Sequence, residues 1–318
     1  YVPINKLKNS EIISGGSENT HPAFSVNGVE KSRFLYSKYQ NIVINGRAYS
    51  LSHRDPKTYV NFDQARQACE AKGAGFHLGT LAEWAAVALL TRKMGTMPHG
   101  NNNYGGDSAY TYEKGQESAK DNNKTGRTFT GSGPATWGHD HTQFGIQDMN
   151  GNVWEWLGGM RLNEGEIQII PYNNAALGSE CDMSASSTLW KAIKNDGSLV
   201  APGTVATLKY DFVSGNIQLT TGITSAQDAG RGGSYTAMTL ASGVTAPELA
   251  KALILYPDEP GKDYGGDYHW MNNAGERLPV AGGGWGNGAD AGVFDLNPNN
   301  ARSHSSGNIG FRSAYVEL

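Results

Sequence analysis

The side chains best suited to redox or metal chemistry in this sequence are two cysteines and one histidine cluster. Cys69 lies in a helical pattern and Cys181 is the second cysteine, so one disulfide at most can form. A buried free thiol is the better interpretation of Cys69, since free cysteines are common in packed cores. The spacing of His139-Asp140-His141 is poor for a helix, which favours a solvated loop over a metal site. We therefore predict no catalytic residues and no metal ligands.

The composition is typical of a loop-rich globular domain with a sizeable core. Of the 318 residues, 42 are glycine, 38% are hydrophobic and 18% are charged, which argues for many tight turns and against intrinsic disorder. The formal net charge is −4 and no run of Lys or Arg occurs, so nucleic acid is not expected as a partner. No apolar stretch is long enough to predict membrane insertion.

Two helices have clear start signals. Asn61 is a predicted N-cap for a helix over Phe62–Lys72. Thr80 and Glu83 have the spacing of a capping box, which predicts a second helix over Leu81–Met94. Both segments place apolar residues at helical spacing, as expected of helices that pack on a core.

Short strands are predicted where apolar residues alternate between turn signals. Asn45-Gly46 is a strong signal for a two-residue hairpin turn. The predicted strands are Arg33–Tyr39, Asn41–Ile44, Ala48–Leu51, Glu166–Ile170, Leu208–Val213 and Ile217–Thr221. A short helix started by proline is predicted over Pro247–Leu255.

The organisation along the chain is predicted as follows. Residues 1–30 form an N-terminal extension or linker, and 31–318 form one domain. That domain contains a long irregular excursion at 98–146, an insertion at about 162–230 and a Gly- and Asn-rich segment at 282–312. Long irregular excursions inside a compact domain are usually functional or packing loops.

Four motifs occur in the order in which one family has them. The motifs are LGTLAEW at Leu78–Trp84, GNVWEW at Gly151–Trp156, RGGSY at Arg231–Tyr235 and NIGFR at Asn308–Arg312. Together they resemble the C-type lectin fold in its formylglycine-generating-enzyme-like form, over roughly residues 33–318. The resemblance implies a loop-rich α+β fold with two helices packed on short antiparallel sheets. GNVWEW is the most specific of these motifs, whereas RGGSY alone would be weak.

Several motif residues are predicted to be scaffold. Trp154 and Trp156 lie on one face of a strand, so both could enter one core. Arg312 could be fixed by a carboxylate or by carbonyl oxygens, which would close the domain. Trp285 is also interpreted as scaffold, with an edge that could be exposed.

The enzymatic branch of the family is not the expected one. That branch uses a cysteine pair close to the C-terminus for copper-bound oxidation, and here no cysteine follows Cys181. A related iron branch uses an HxxxHxE pattern, which is absent, as are the EPN and QPD motifs of calcium-dependent lectins. We therefore expect no enzyme activity and no cofactor. Structural calcium is compatible with the many loop Asp and Asn residues, although no pattern identifies its ligands.

The segment Gly282–Arg312 resembles the variable region of proteins diversified by retroelements, of which phage tropism determinants are the best known. Those systems mutate template adenines, so AAY asparagine codons vary without producing stop codons. Residues reachable from such codons stand at seven positions: Gly284, Gly286, Asp290, Asp295, His304, Ser306 and Gly307. Each alone is an ordinary turn residue, and the prediction depends on the set lying between scaffold motifs.

The resemblance implies a hypervariable binding surface on a rigid scaffold. The predicted ligand contacts are Gly284, Gly286, Asn287, Asp290, Phe294, Asp295, Asn297, Asn299, Asn300, His304, Ser306 and Gly307. Phe294 could instead be a core residue. The expected partner is a receptor on a bacterial surface, protein or glycan, and the expected location is a phage tail tip or a bacterial cell surface. A homo-oligomer would add avidity. The alternatives are a non-diversified, inactive adhesin or scaffold of the same family, and an enzyme of different chemistry built on the 98–146 loops.

Overall fold

A computed structural model describes all residues from 1 to 318. The chain folds as α+β, with two main helices against short, mostly antiparallel strands and long loops between them. The helices are Asn9–Ile12, Phe62–Glu70, Leu81–Met94 and Glu248–Ala252. Short 3-10 turns lie at Pro22–Phe24, Ala135–Trp137, Asn174–Glu180, Tyr235–Ala237 and Gly288–Asp290. No helix is both long and apolar enough to cross a membrane.

The predicted capping residues begin the two main helices. The Asn61 side chain accepts a hydrogen bond from the Gln64 amide at 2.9 Å. Thr80 Oγ1 accepts from the Glu83 amide at 3.2 Å, and the Glu83 carboxylate accepts from the Thr80 amide at 3.1 Å. Gly95, with φ of 70°, ends the second helix in the left-handed conformation. These caps confirm both predicted starts, while the first helix ends two residues earlier than predicted.

The strands form two larger sheets and three separate hairpins. The four-stranded sheet runs Val2–Asn5, Arg33–Tyr36, Ser313–Tyr315, Phe76–Leu78. The main path of the thirteen-stranded sheet is Arg231–Ser234, Tyr268–Met271, Leu296–Asn300, Glu276–Ala281, Met160–Asn163, Glu166–Ile169, Lys209–Val213, Asn216–Thr220, Thr239–Leu240. Its side strands are Trp154–Trp156, Ile309–Phe311, Lys191–Ile193 and Leu199–Val200. The hairpins pair Ser25–Val26 with Val29–Glu30, Ile42–Ile44 with Arg47–Tyr49, and Lys120–Asp121 with Lys124–Thr125.

Residues 1–30 are part of the fold, which corrects the prediction of an extension or linker. Val2–Asn5 pairs with Arg33–Tyr36 along its whole length. Ile4, Ile12 and Phe24 are buried in the main core. The apolar residues of this stretch are too widely spaced to show a helix or strand period, so only their long-range contacts reveal their role.

The remaining element predictions are confirmed with small shifts of boundary. Asn45 and Gly46 have φ of 49° and 76°, as a two-residue hairpin turn requires. The insertion at about 162–230 contributes strands that continue the large sheet, beginning with Met160–Asn163 paired to Glu166–Ile169. The excursion at 98–146 has little regular structure apart from one small hairpin and one 3-10 turn.

Two adjoining cores fix the C-terminal segment from below. The helix Leu81–Met94 is buried over most of its length, and Trp84 Nε1 donates to the Val293 carbonyl at 2.7 Å. Trp154 and Trp156 both lie in the second core, where Trp156 meets Phe62 edge to face. The backbone around residue 293 is therefore held by a helix that lies far away in sequence.

Arg312 is the most connected buried side chain near the C-terminus. Its Nε lies 2.9 and 2.7 Å from the two carboxylate oxygens of Glu155. Its terminal nitrogens donate to the carbonyls of Ser37, Lys38 and Gln147. Both charged side chains are at most 1% exposed. This arrangement is the fork of carboxylate and carbonyl oxygens expected for Arg312.

Replacing Arg312 should be severely destabilising. The substitution Arg312→Met leaves Glu155 buried without its cation, and we expect a loss of about 3–5 kcal/mol in the free energy of unfolding. Urea denaturation measures the effect. Lys6→Met, which breaks the exposed Lys6–Glu30 pair, is the control and should cost less than about 1 kcal/mol. Equal effects of the two substitutions would show that the Arg312 fork does not stabilise the fold.

Candidate ligand-binding surface

The strand Trp154–Trp156 holds both ends of the C-terminal segment. On one side it pairs antiparallel with Glu276–Ala281, with Glu155 opposite Ala281. On the other side it pairs parallel with Ile309–Phe311, with Glu155 opposite Gly310. The chain between these strands, residues 282–308, is therefore a long excursion whose two ends are fixed to one buried strand. We call residues 282–308 the apical segment.

Most of the predicted contact residues have accessible surface. Gly286 and His304 are exposed. The partly exposed ones are Asn287, Asp290, Asn297, Asn299, Asn300, Ser306 and Gly307. Trp285 is also partly exposed, and its Nε1 donates to Asp121 at 3.1 Å. A scaffold position with an exposed edge, as predicted for Trp285, fits this geometry.

Three predicted contact residues are buried. Phe294 and Asp295 are fully buried, which corrects their assignment as surface contacts. Phe294 packs against Tyr235 and Tyr264 in the main core. Asp295 precedes the strand Leu296–Asn300, and its side chain points inward as Leu296 enters the same core. Gly284 has a buried backbone, although space remains above it.

The glycines of the apical segment fall into two groups. Gly282 and Gly283 have φ of 94° and 76°, where any other residue would be strained. A Cβ on Gly283 would lie 2.3 Å from Ala291 Cβ, and one on Gly292 would lie 2.1 Å from an Asp267 oxygen. At Gly284 the nearest atom, Trp154 Cδ1, would be at an ordinary 3.4 Å, and φ is not positive.

Gly286 and Gly307 belong to the second group. Neither has a positive φ, and a Cβ at either position would meet the hydroxyl end of a tyrosine rather than backbone. The glycines that accept a side chain, 284, 286 and 307, are those predicted as variable from codon chemistry alone. The glycines that refuse one are those predicted as constant.

The excursion at 98–146 forms a wall beside the apical segment. The Tyr104 amide donates to the Trp285 carbonyl at 2.7 Å, and the Gly288 amide donates to the Asn102 carbonyl at 2.8 Å. Arg127 donates to the Gly307 carbonyl at 3.1 Å while also bound to Asp55. Sequence reasoning assigned none of these neighbours to the surface, because nothing in their local pattern distinguishes them from other loop residues.

Asn152 connects this wall to the GNVWEW strand. Its backbone is left-handed, with φ of 62°. Its side-chain oxygen accepts from the Thr128 amide at 2.8 Å and from Asn101 at 3.1 Å. Its amide nitrogen donates to Gln40 at 2.8 Å. The motif asparagine is therefore a structural junction with all its polar atoms used inside the protein.

The residues expected to carry no chemistry are engaged structurally. His139 Nδ1 accepts from the Ile146 amide, and His141 Nε2 is within hydrogen-bond distance of the Met97 carbonyl. Both cysteines are buried free thiols, as predicted for Cys69. Burial raises the pKa of Cys181 to about 11. No group of three or more His, Cys, Asp or Glu side chains is arranged to hold a metal ion.

Two buried carboxyl groups lie beneath the apical segment. Asp267 borders a cavity of about 280 Å³ and accepts from the Phe294 amide at 2.7 Å. Neither oxygen of Asp295 has a hydrogen-bond partner. Burial raises the pKa of Asp267 to about 8. Burial, followed by the charge of Asp267, holds the pKa of Asp295 well above its usual range.

Comparison with known proteins places the chain in a family. The sequence model of the FGE-sulfatase family, a sulfatase-modifying factor enzyme 1-like domain, matches residues 20–241. The chain belongs to this family. Its α+β architecture is the C-type lectin fold that the four motifs imply. The copper-binding cysteine pair of the enzymatic branch does not fit this member, because Cys69 and Cys181 are its only cysteines and neither is near the C-terminus.

Several solved structures are similar to the family member described here. The Major Tropism Determinant P3c variant has a TM-score of 0.34 and 12% identity, covering 98% of this chain and 60% of that chain. The U1 variant has a TM-score of 0.34 and 11% identity, covering 98% and 61%. Treponema denticola variable protein 1 has a TM-score of 0.32 and 14% identity, covering 99% and 93%. The chain thus spans about 60% of the length of the tropism determinant chains. A search of curated proteins finds no match.

The buried carboxyls predict a pH-dependent stability. A folded pKa above the unfolded value means that the contribution to stability is fully present below about pH 3.8 and is lost as the pH rises towards 8. Asp295→Asn removes one such group. We therefore expect the variant's free energy of unfolding to rise relative to the native protein as the pH increases, by at most roughly 1.4 kcal/mol per pH unit.

Urea denaturation at several pH values between 4 and 8 measures this difference. Any cost of burying an unpartnered amide is independent of pH, so the slope is the informative quantity rather than the absolute value. A difference between variant and native protein that stays constant over this range would contradict the raised pKa of Asp295.

Proposed function

We propose that this protein is a ligand-binding protein whose apical segment is diversified by a retroelement. The observation that carries the proposal is the division of the glycines: those at proposed variable positions accept side chains, and their neighbours do not. A surface that must change its side chains without losing its fold needs this division. The codon argument uses no coordinates, so its agreement with the backbone geometry is independent support.

The scaffold around the segment supports the same function. Both ends of the apical segment are fixed by the strand Trp154–Trp156. Contacts from the excursion at 98–146 reach backbone carbonyls of the segment at Trp285 and Gly307. Backbone contacts of this kind survive a change of side chain, so the surface can vary while its shape is kept.

Six proposed variable positions remain after the correction at 295. They are Gly284, Gly286, Asp290, His304, Ser306 and Gly307, with Asn287, Asn297, Asn299 and Asn300 as further contacts. In this variant they are small or polar, so the surface is open and hydrophilic. We propose that it binds a receptor, protein or glycan, on a bacterial surface, either from a phage tail tip or from another cell.

The proposal includes no catalysis. The family contains enzymes whose chemistry needs thiolates, but burial holds the pKa of Cys69 well above its usual range and that of Cys181 at about 11. Such thiols are protonated near neutral pH and shielded from substrates.

Sequencing the encoding locus in a mixed natural population tests the proposal. We expect substitutions at codons 284, 286, 290, 304, 306 and 307, and a nearby near-copy of the segment whose adenines account for them. Codons 282, 283, 292 and 309–312 are the internal control and should be constant. A uniform locus without a template copy would contradict diversification. The protein would then be a static adhesin or scaffold of the same family.

A further inference from the structure

Two tyrosines outside the apical segment each stand over one of its glycines. The Tyr59 hydroxyl lies 2.8 Å from the position that a Cβ on Gly307 would occupy. The Tyr104 hydroxyl lies 3.3 Å from the corresponding position on Gly286. Tyr59 follows the N-terminal hairpin in the chain and Tyr104 is in the excursion at 98–146, so two unrelated loops supply the same type of residue at the same type of place.

Both tyrosines have an unusual backbone conformation. The φ angles are 53° at Tyr59 and 46° at Tyr104. The left-handed region is unfavourable for a bulky aromatic residue. Such residues persist only where the surrounding structure holds them, and they are concentrated at functional sites.

The apical segment itself holds both tyrosines in place. The Tyr59 amide donates to the Ser306 carbonyl at 3.0 Å, and the Tyr104 amide donates to the Trp285 carbonyl at 2.7 Å. These acceptors are backbone atoms next to positions 307 and 286. The tyrosine backbones are therefore fixed whatever side chains stand at 286 and 307, whereas the tyrosine rings must respond to those side chains.

The rings are available for contact. Tyr59 is 68% exposed. Tyr104 is half-buried, and Lys124 Nζ lies 4.2 Å from its ring centre. Arg127 and Trp285 complete a group of aromatic and guanidinium side chains beside small variable residues. Tyr, Trp and Arg dominate the binding energy of protein–protein interfaces, and tyrosine offers a large contact area with only two torsions to fix.

Building on the proposed function, we infer that Tyr59 and Tyr104 are constant contact residues for a folded protein partner, and that the variable side chains at 307 and 286 set the positions of their rings. A side chain at 307 must displace the Tyr59 hydroxyl, because 2.8 Å is closer than non-bonded carbon and oxygen approach. Diversification at these two positions then changes the surface twice, through the new side chain and through the moved tyrosine.

The pairing is tested by NMR of full-length protein with 13C-labelled tyrosine. We expect Gly307→Asn to shift the ring signals of Tyr59 and not those of Tyr104, and Gly286→Asn to do the reverse. Tyr172 is the control, since it is 58% exposed with φ of 55° and lies near Thr80. Unchanged signals of Tyr59 and Tyr104 in folded variants would overturn the pairing.

The contact role is tested with display libraries that randomise positions 284, 286, 290, 304, 306 and 307. Three backgrounds are compared: native, Tyr59→Ser with Tyr104→Ser, and Tyr172→Ser. Selection uses purified serum albumin as the probe, after sorting for folded protein. We expect at least tenfold fewer binders from the double variant than from the native background, and no reduction with Tyr172→Ser.

The outcomes separate the two proposals. Equal recovery from the native and double-variant libraries would overturn the tyrosine inference and leave the binding function standing. Absence of binders from all three folded libraries would overturn the binding function, and the inference with it.

Discussion

The buried ion pair between Arg312 and Glu155 is the contact on which the rest of the structure depends. Glu155 is the middle residue of a strand that pairs with both ends of the apical segment. Arg312 follows the second of those ends and also binds carbonyls at Ser37, Lys38 and Gln147. One cation thus connects the N-terminal part, the central excursion and the C-terminal strands. Because both charges are buried, neither can be removed without leaving the other unpaired.

This arrangement separates the part that must be constant from the part that can change. The anchoring contacts involve motif residues and backbone atoms, while the side chains at the proposed variable positions contribute little to the core. Asp295 is the informative exception. Its codon allows variation, yet its side chain is buried without a partner, so changes there act on stability rather than on contact. A diversified segment with one buried position would produce variants of unequal stability.

Local signals in the sequence predicted the elements that depend on local interactions. The caps at Asn61 and Thr80 and the Asn45-Gly46 turn are each decided within a few residues, so they could be predicted without a structure. The motifs predicted the family and the position of the apical segment. The codon pattern predicted most of the accessible positions, since it depends on nucleotide chemistry rather than on folding.

Long-range contacts decided what the sequence did not reveal. Ile4 and Phe24 enter the core only because the first strand pairs with Arg33–Tyr36. Phe294 is buried by aromatic rings from two other segments, and nothing in its own neighbourhood distinguishes core from surface. Tyr59 and Tyr104 reach the candidate surface through turns with left-handed backbones, which spacing and periodicity do not predict.

The central claim is that the apical segment combines variable and constant positions side by side, and the adjacent pair Gly283→Ser and Gly284→Ser tests it most directly. The measurement is the free energy of unfolding of each variant in urea. We expect Gly284→Ser to stay within about 1 kcal/mol of the native protein, since a surface substitution without strain is nearly neutral. We expect Gly283→Ser to lose roughly 2–5 kcal/mol through its left-handed backbone and its collision with Ala291. Equal losses at the two positions, or a larger loss at 284, would contradict the account.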